Sequence, residues 1–384
     1  MGTVLDYLEK YGNYSFQEMP MTEVDSLALC LLSYLKFEGM VPDAMVNQPP
    51  VKLKDLEEHP AFEKLFADVR FEKSNRALVN GMLKGKRFGE LRLNCYANVI
   101  EEQWETQFSA VTFILDDGTV YIAYRGTDET IVGWKEDFNM TFLSPVPGQE
   151  MSVWYLNTVA NALPGPLYLG GHSKGGNLAV YSGMNCEPEI QDRIVRIYSL
   201  DGPGFRPEVL EKCGYDRIQD RVEKILPNSS MIGMLFESDM HFQVVKTKAF
   251  GLAQHDLFTW QVVANHLVHA NDIYERRKQM DNTLNEWLLS LDEQQLQTFA
   301  DTLYQVISAS QTDNLIDFTA EWKKSMNGII SALKEVDEET IGILKNMVKS
   351  LFEIAGSNAR KEFASKFTPK QKSEKKSKPE PADH

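Results

Sequence analysis

The sequence predicts an α/β domain built on a mostly parallel sheet, followed by an all-α extension. Three observations carry this. Two β-rich runs, Phe108 to Leu115 and Val120 to Tyr124, flank Asp116-Asp117-Gly118, a turn signal for a hairpin. After that hairpin, short apolar runs alternate with helical segments, the pattern of parallel strands joined by crossover helices. Beyond Asn271 the strand signals stop and only helical stripes continue.

In chain order, "SLALCLLSYLKF" is apolar enough for a buried helix, with Thr22 or Asp25 as its cap. Val46 to Glu72 reads as a Pro-interrupted loop followed by an amphipathic helix. The strand over Val120 to Tyr124 ends at Arg125-Gly126-Thr127, and a helical pattern starts near Trp134. "EMSVWYLNTVANAL" is a helix candidate leading into the short strand "LYLGG", and "GNLAVYSGM" reads as the helix after it. Further strands are expected at "RIVRIYSL", "RVEKILP" and "DMHFQVVKT", and a helix at "HDLFTWQVVANHLV".

Residues 1–270 thus form the α/β domain. In 271–365, Leu296, Phe299, Leu303 and Val306 follow a 3-4-3 spacing, and Ser290 with Glu293 forms a capping-box pattern. Later stripes through Trp322 and Leu333, and through Ile341 and Val348, make this a small helical region packing on itself or on the sheet domain. Residues 366–384, rich in Lys and Pro, bury too little apolar area to fold and read as a disordered tail.

At 384 residues, 43% hydrophobic and 25% charged, the chain has the composition of an ordinary globular protein. Its formal net charge of -15 speaks against a nucleic-acid partner and against long-range attraction to anionic membranes. Cys30, Cys95, Cys186 and Cys213 lack metal-site or disulfide-framework spacing, so buried free thiols are expected. The N-terminus has no apolar signal region and no apolar run reaches spanning length, which makes a cytoplasmic location the default expectation. Neither a metal nor a cofactor is called for.

Gly171-His172-Ser173-Lys174-Gly175 fits G-x-S-x-G, with an apolar strand before it and a helix after it. That context is what a nucleophile elbow requires: a strained turn whose glycines let strand and helix pass close by the serine. A serine needs a base to take its proton, and histidine is the usual one. Of the seven histidines, His172 points away by its place in the elbow, His384 lies in the tail and His59 precedes the sheet. His241 sits in a presumed strand, and His266 and His269 in a presumed helix. His255 follows the last strand, where the chain order Ser, acid, His puts the base. Asp201, Asp239 and Asp256 compete as the orienting acid, and Asp201, at the end of a strand in "YSLDGPGF", is favoured; its alternative role is an Asx-type turn. For an oxyanion, the backbone N–H of Lys174 and a donor from Thr127 are expected, with Asp137 supporting the Thr127 loop. A buried Lys174 ammonium calls for a carboxylate, with Asp137, Glu136 and Asp201 as candidates.

Taken together, Arg125-Gly126-Thr127, the Trp134-x-x-Asp137 after it and Gly171-His172-Ser173-x-Gly175-Gly176 resemble the class 3, fungal-type triacylglycerol lipase superfamily. "GHSKGGNLA", "RGTDETIVGWKEDFN" and "QHDLFTW" look closer to a bacterial lipase-like branch. The resemblance spans Asp25 to His269 and implies an α/β-hydrolase fold without a metal. It makes Ser173 the nucleophile, His255 the family histidine and Thr127 the oxyanion residue. The sequence departs from the family at one place: where the lipases carry their acid, "NSSMIGML" puts Ser230. "SLDGPGF" looks like the loop on which the pancreatic-lipase group carries its acid one strand earlier. That favours Asp201 and leaves a Ser-His dyad assisted by Ser230 as the fallback. The expected activity is hydrolysis of carboxylic acyl esters of lipid or small-molecule substrates through an acyl-enzyme. The alternative is an inactive hydrolase fold that binds a protein partner through its C-terminal helices.

Overall fold

The computed structural model describes residues 1–45, 47–67, 69–101, 106–127, 140, 144–228, 230, 232–235, 241–270 and 285. The helix expected near Trp134, the C-terminal helical region and the tail lie outside the described residues, Asn285 apart.

An eight-stranded sheet carries the chain, its strands lying side by side in sequence order. They are β1 (Val51–Lys52), β2 (Arg92–Glu101), β3 (Thr106–Ile114), β4 (Val120–Tyr124), β5 (Leu167–His172), β6 (Ile194–Leu200), β7 (Val222–Pro227) and β8 (Phe242–Val245). β1 to β4 pair antiparallel and β4 to β8 parallel. The Asp116-Asp117-Gly118 turn joins β3 to β4, with Gly118 at φ 88, a conformation natural to glycine. Helices α1 (Val4–Tyr11), α2 (Glu23–Leu32) and α3 (Glu72–Lys84) come from the N-terminal segment, and α4 (Pro147–Ala162) and α5 (Lys174–Asn185) from the crossovers.

Two cores follow from strand alternation. On β4, Tyr121 and Ala123 face one core with α2 and α3, while Val120, Ile122 and Tyr124 face the other with α4 and α5. All five residues of β4 are buried, as expected of a strand covered on both faces. α2 starts at Thr22, and Asp25 accepts from the Thr22 N–H in a capping box, so the two cap candidates act as a pair.

Three elements differ from expectation. β2 went unread because Asn94 and Asn98 break its apolar pattern and the register shifts between Asn94 and Ala97, where Cys95 has φ 52. The amphipathic helix expected before Glu72 is instead β1 and two 3-10 turns, Leu53–Glu58 and Phe62–Phe66. Pro60 lacks an N–H and holds His59 extended at ψ 133, which stops a continuous helix. The helix expected at "HDLFTWQVVANHLV" is a 3-10 turn followed by a hairpin of β9 (Val262–Val263) and β10 (His266–Leu267). β-Branched valines favour extended backbone there, and a two-residue turn in which Ala264 takes φ 55 closes the hairpin. His266 and His269 therefore sit on extended backbone, and His241 just precedes β8. Gly2 closes the layer by pairing with Val262 through two 3.0 Å backbone bonds.

Candidate active site

Ser173 stands between β5 and α5 at φ 58, ψ −129, a backbone conformation that costs energy for any L-residue bearing a side chain. The glycines around it permit this turn. A Cβ on Gly171 would collide with the Gly175 peptide, and one on Gly175 with the Tyr124 carbonyl. At Gly176 it would press on Ser199 Oγ at 2.7 Å. Strand and helix thus cross in contact, and Ser173 is left at the C-terminal edge of the sheet.

The neighbouring strand brings Asp201 to the same edge. Ser173 N–H donates to the Leu200 carbonyl at 2.9 Å, so the residue after Leu200 lies beside the elbow. Asp201 also has a positive φ, 50°, and is buried at 1% exposure. Both of its carboxylate oxygens are held. Ser230 Oγ donates to Oδ1 at 2.5 Å, the Gly233 N–H donates to Oδ1 at 3.2 Å, and His255 Nδ1–H donates to Oδ2 at 2.6 Å. Gly233 is required for this: a Cβ there would meet Asp201 Oδ1 at 2.5 Å. Because a carboxylate only accepts, His255 carries its proton on Nδ1, which leaves Nε2 as the lone-pair nitrogen of the neutral ring.

His255 closes a 3-10 turn over Gly251–His255, and its side chain is 23% exposed against 1% for Asp201. Its ring lies 4.3 Å from that of His172, the residue before Ser173. His172 Nε2–H donates to the His255 carbonyl at 2.8 Å, and the Tyr34 hydroxyl donates to His172 Nδ1 at 2.9 Å. Burial, reinforced by His255, pushes the His172 imidazole well below its usual pKa. The imidazole is thus a neutral link.

Thr127 is half-buried in the segment leaving β4. That segment is pressed onto the elbow, because a Cβ on Gly126 would run into the Tyr34 hydroxyl and the His172 carbonyl. Lys174 opens α5, and its N–H belongs to the first turn, where helix amides point toward anions. Its buried ammonium donates to the Gln107 carbonyl on β3 at 2.7 Å. The ammonium is therefore turned to the opposite side of β5 from Asp201 and does not compete with His255. Asp137, Glu136 and Asp239 lie outside the described residues. Asp256 caps the turn after His255 by accepting from Phe258 N at 2.9 Å, and burial raises its pKa. Behind Asp201, burial pushes the Lys224 ammonium down to about 7 against the opposing pull of the Asp201 charge.

Ser173, Asp201, His255 and Ser230 are thereby gathered at one edge, with Thr127 and Lys174 flanking. Sequence reasoning missed Tyr34, His172, Gly233 and Lys224. Only Gly233 left a trace, as the single glycine in "NSSMIGML".

An open sheet turning from antiparallel to parallel, with a strained serine between strand and helix, defines a lipase-like α/β-hydrolase fold. The chain belongs to the Mbeg1-like family, whose model matches residues 82–305. Among solved structures it is similar to M37 lipase, at 14% identity and a TM-score of 0.35, over 56% of this chain and 70% of that one. It is also similar to the lipase–propeptide complex of Rhizomucor miehei, at 16% identity and a TM-score of 0.30, over 42% of this chain and 58% of that one. No curated protein matches. Among the described residues, no helix is long and apolar enough to cross a membrane.

Proposed function

We propose that the protein is a serine hydrolase of carboxylic acyl esters. The observation that carries this is the 2.6 Å bond from His255 Nδ1–H to a buried Asp201, formed beside a serine held at φ 58. In this reading Ser173 Oγ attacks the ester carbonyl while His255 Nε2 takes its proton. Asp201 stabilises the imidazolium, and the Lys174 N–H with a donor from Thr127 holds the oxyanion. His255 then protonates the leaving alcohol, and water activated by the same imidazole releases the acid and restores Ser173. Lipid-derived and other small esters are the substrate class.

Reaction with a fluorophosphonate probe at neutral pH tests it, alongside p-nitrophenyl ester turnover. The wild-type chain should form an adduct and Ser173→Ala should not, with turnover lost in the variant. Absence of a Ser173-dependent adduct would overturn the enzyme and favour a fold used for binding.

A further inference from the structure

The residue in front of the serine has no part in the proton relay above, yet it holds the relay's base. We infer that His172 is a positioning residue: a relay of two hydrogen bonds, Tyr34 to His172 to the His255 backbone, pins the turn that presents His255 to Ser173 and Asp201. The inference rests on the ester-hydrolase reading.

The direction of this relay is fixed by chemistry. The His255 carbonyl has no proton to give, so the 2.8 Å contact requires a proton on His172 Nε2. His172 Nδ1 is then an acceptor, and the Tyr34 hydroxyl at 2.9 Å must be its donor. Tyr34 thereby selects the tautomer that can reach His255, as second partners of catalytic and metal-bound imidazoles commonly do. One side-chain bond fixes the held loop to the end of β6, from His255 Nδ1–H to Asp201 Oδ2 at 2.6 Å, and the His172 bond is a second tie, from β5. The Gly251–His255 turn follows β8 after a short connection, and two of its other side-chain bonds are local: Gln254 Nε2–H donates to the Ala249 carbonyl and Trp260 Nε1–H to the Gln254 carbonyl. His172 ties it directly to the last residue of β5, next to the serine.

The same packing explains why the link must stay neutral. With ring centroids 4.3 Å apart, a charge on His172 would oppose the imidazolium that His255 has to form. Burial, with the nearby Arg70 charge acting in the same sense, keeps His172 uncharged. Gly126 packs against both the Tyr34 hydroxyl and the His172 carbonyl, leaving no room for a side chain over the relay.

The test compares His172→Gln, whose amide N–H reaches the place of Nε2–H, with His172→Leu, which has no donor, and with Tyr34→Phe, in the full chain. Two readouts are taken: p-nitrophenyl ester kinetics, and the downfield proton resonance of the His255 Nδ1–H···Asp201 bond, which needs no turnover. His172→Leu should lower kcat by about 100-fold with KM little changed, since a base displaced by about 1 Å costs that much. It should also broaden or lose the resonance. His172→Gln should retain the resonance and keep kcat within about tenfold of wild type, and Tyr34→Phe should fall between the two. An unchanged resonance in His172→Leu would overturn the positioning role. So would equal losses in Gln and Leu variants that track a common fall in Tm. If the resonance responds as expected but no variant, nor the wild type, hydrolyses ester, the positioning role stands and the hydrolase reading falls.

Discussion

Two buried carboxylates, one in the N-terminal layer and one at the sheet edge, have similar shells and opposite partners. Asp25 accepts from the Tyr7 hydroxyl, the Thr22 N–H and hydroxyl, and the Nε and Nη2 of Arg87, three of these bonds at 2.7 Å. Arg87 is as deeply buried as Asp25, stacks on Phe16 and donates to the carbonyls of Tyr14, Ser15, Met19 and Pro20. Asp201 accepts from a hydroxyl, an amide and an imidazole. A guanidinium never gives up its proton at accessible pH, so the first pair is a permanent fastening. An imidazole does, so the second can pass through both charge states while its carboxylate stays buried and fully hydrogen-bonded. The partner's pKa, more than the depth of burial, separates a structural carboxylate from one fit for chemistry.

This contrast can be broken at either carboxylate. The largest effect is expected from Asp201→Asn, which keeps the shape but no longer holds the Nδ1–H tautomer of His255. Ester kcat should fall by about 10⁴, as for triad acids generally, with the unfolding midpoint little changed. A rate within tenfold of wild type would move the role to a dyad. Arg87→Met should do the reverse. Leaving Asp25 buried without its cation should cost about 3–5 kcal/mol of stability, read by urea denaturation, while turnover per folded molecule is preserved. Ser230→Ala removes one donor from Asp201 and leaves Gly233 and His255 in place. Its kcat should drop by about tenfold, in keeping with about 1–3 kcal/mol for a hydrogen bond to a charged group.

The last effect is on stability alone and is a slope. The folded-state pKa of Lys224 is depressed to about 7 from 10.5, so between those values the unfolded chain binds more protons than the folded one. Stability on this group's account is therefore lowest below pH 7 and rises as pH climbs toward 10.5. Lys224→Met should remove that gain: measured as Tm, the wild type should improve relative to the variant between pH 7 and 9. A constant difference would mean that the lysine is charged when folded.

Much of the sheet is legible in the sequence, because β3 to β7 are short apolar runs whose turns and crossovers announce themselves locally. The elbow was legible for the same reason, since its glycines are needed by contacts within a few residues. Asp201 was legible by its place at a strand end and by the resemblance of its "SLDGPGF" loop. Long-range pairing was not. Nothing near Arg92–Glu101 signals that an Asn-containing, bulged segment would be clamped between β1 and β3. Nothing in "QVVANHLV" says that Gly2 would pair with it. His172 was passed over because its side chain turns away from the serine's reaction face, and its partners Tyr34 and His255 lie far off in sequence. For Lys174 a carboxylate was expected, and Asp137 and Glu136 lie outside the described residues; its ammonium donates to the Gln107 carbonyl, a strand acceptor that carries no sequence signature.

The pairing of Gly2 with Val262 has a consequence for how the chain is made. Gly2 leaves the ribosome long before Val262, and the strand that receives it lies beyond the whole sheet, just after the turn that carries His255. The Gly2 backbone must therefore wait for its partner until the chain has reached Val262, and among the described residues this backbone pairing of extreme sequence separation carries the heaviest loop-closure cost. Vectorial synthesis thus orders assembly: the elbow, made of near neighbours, forms early, and the layer that braces its base closes late.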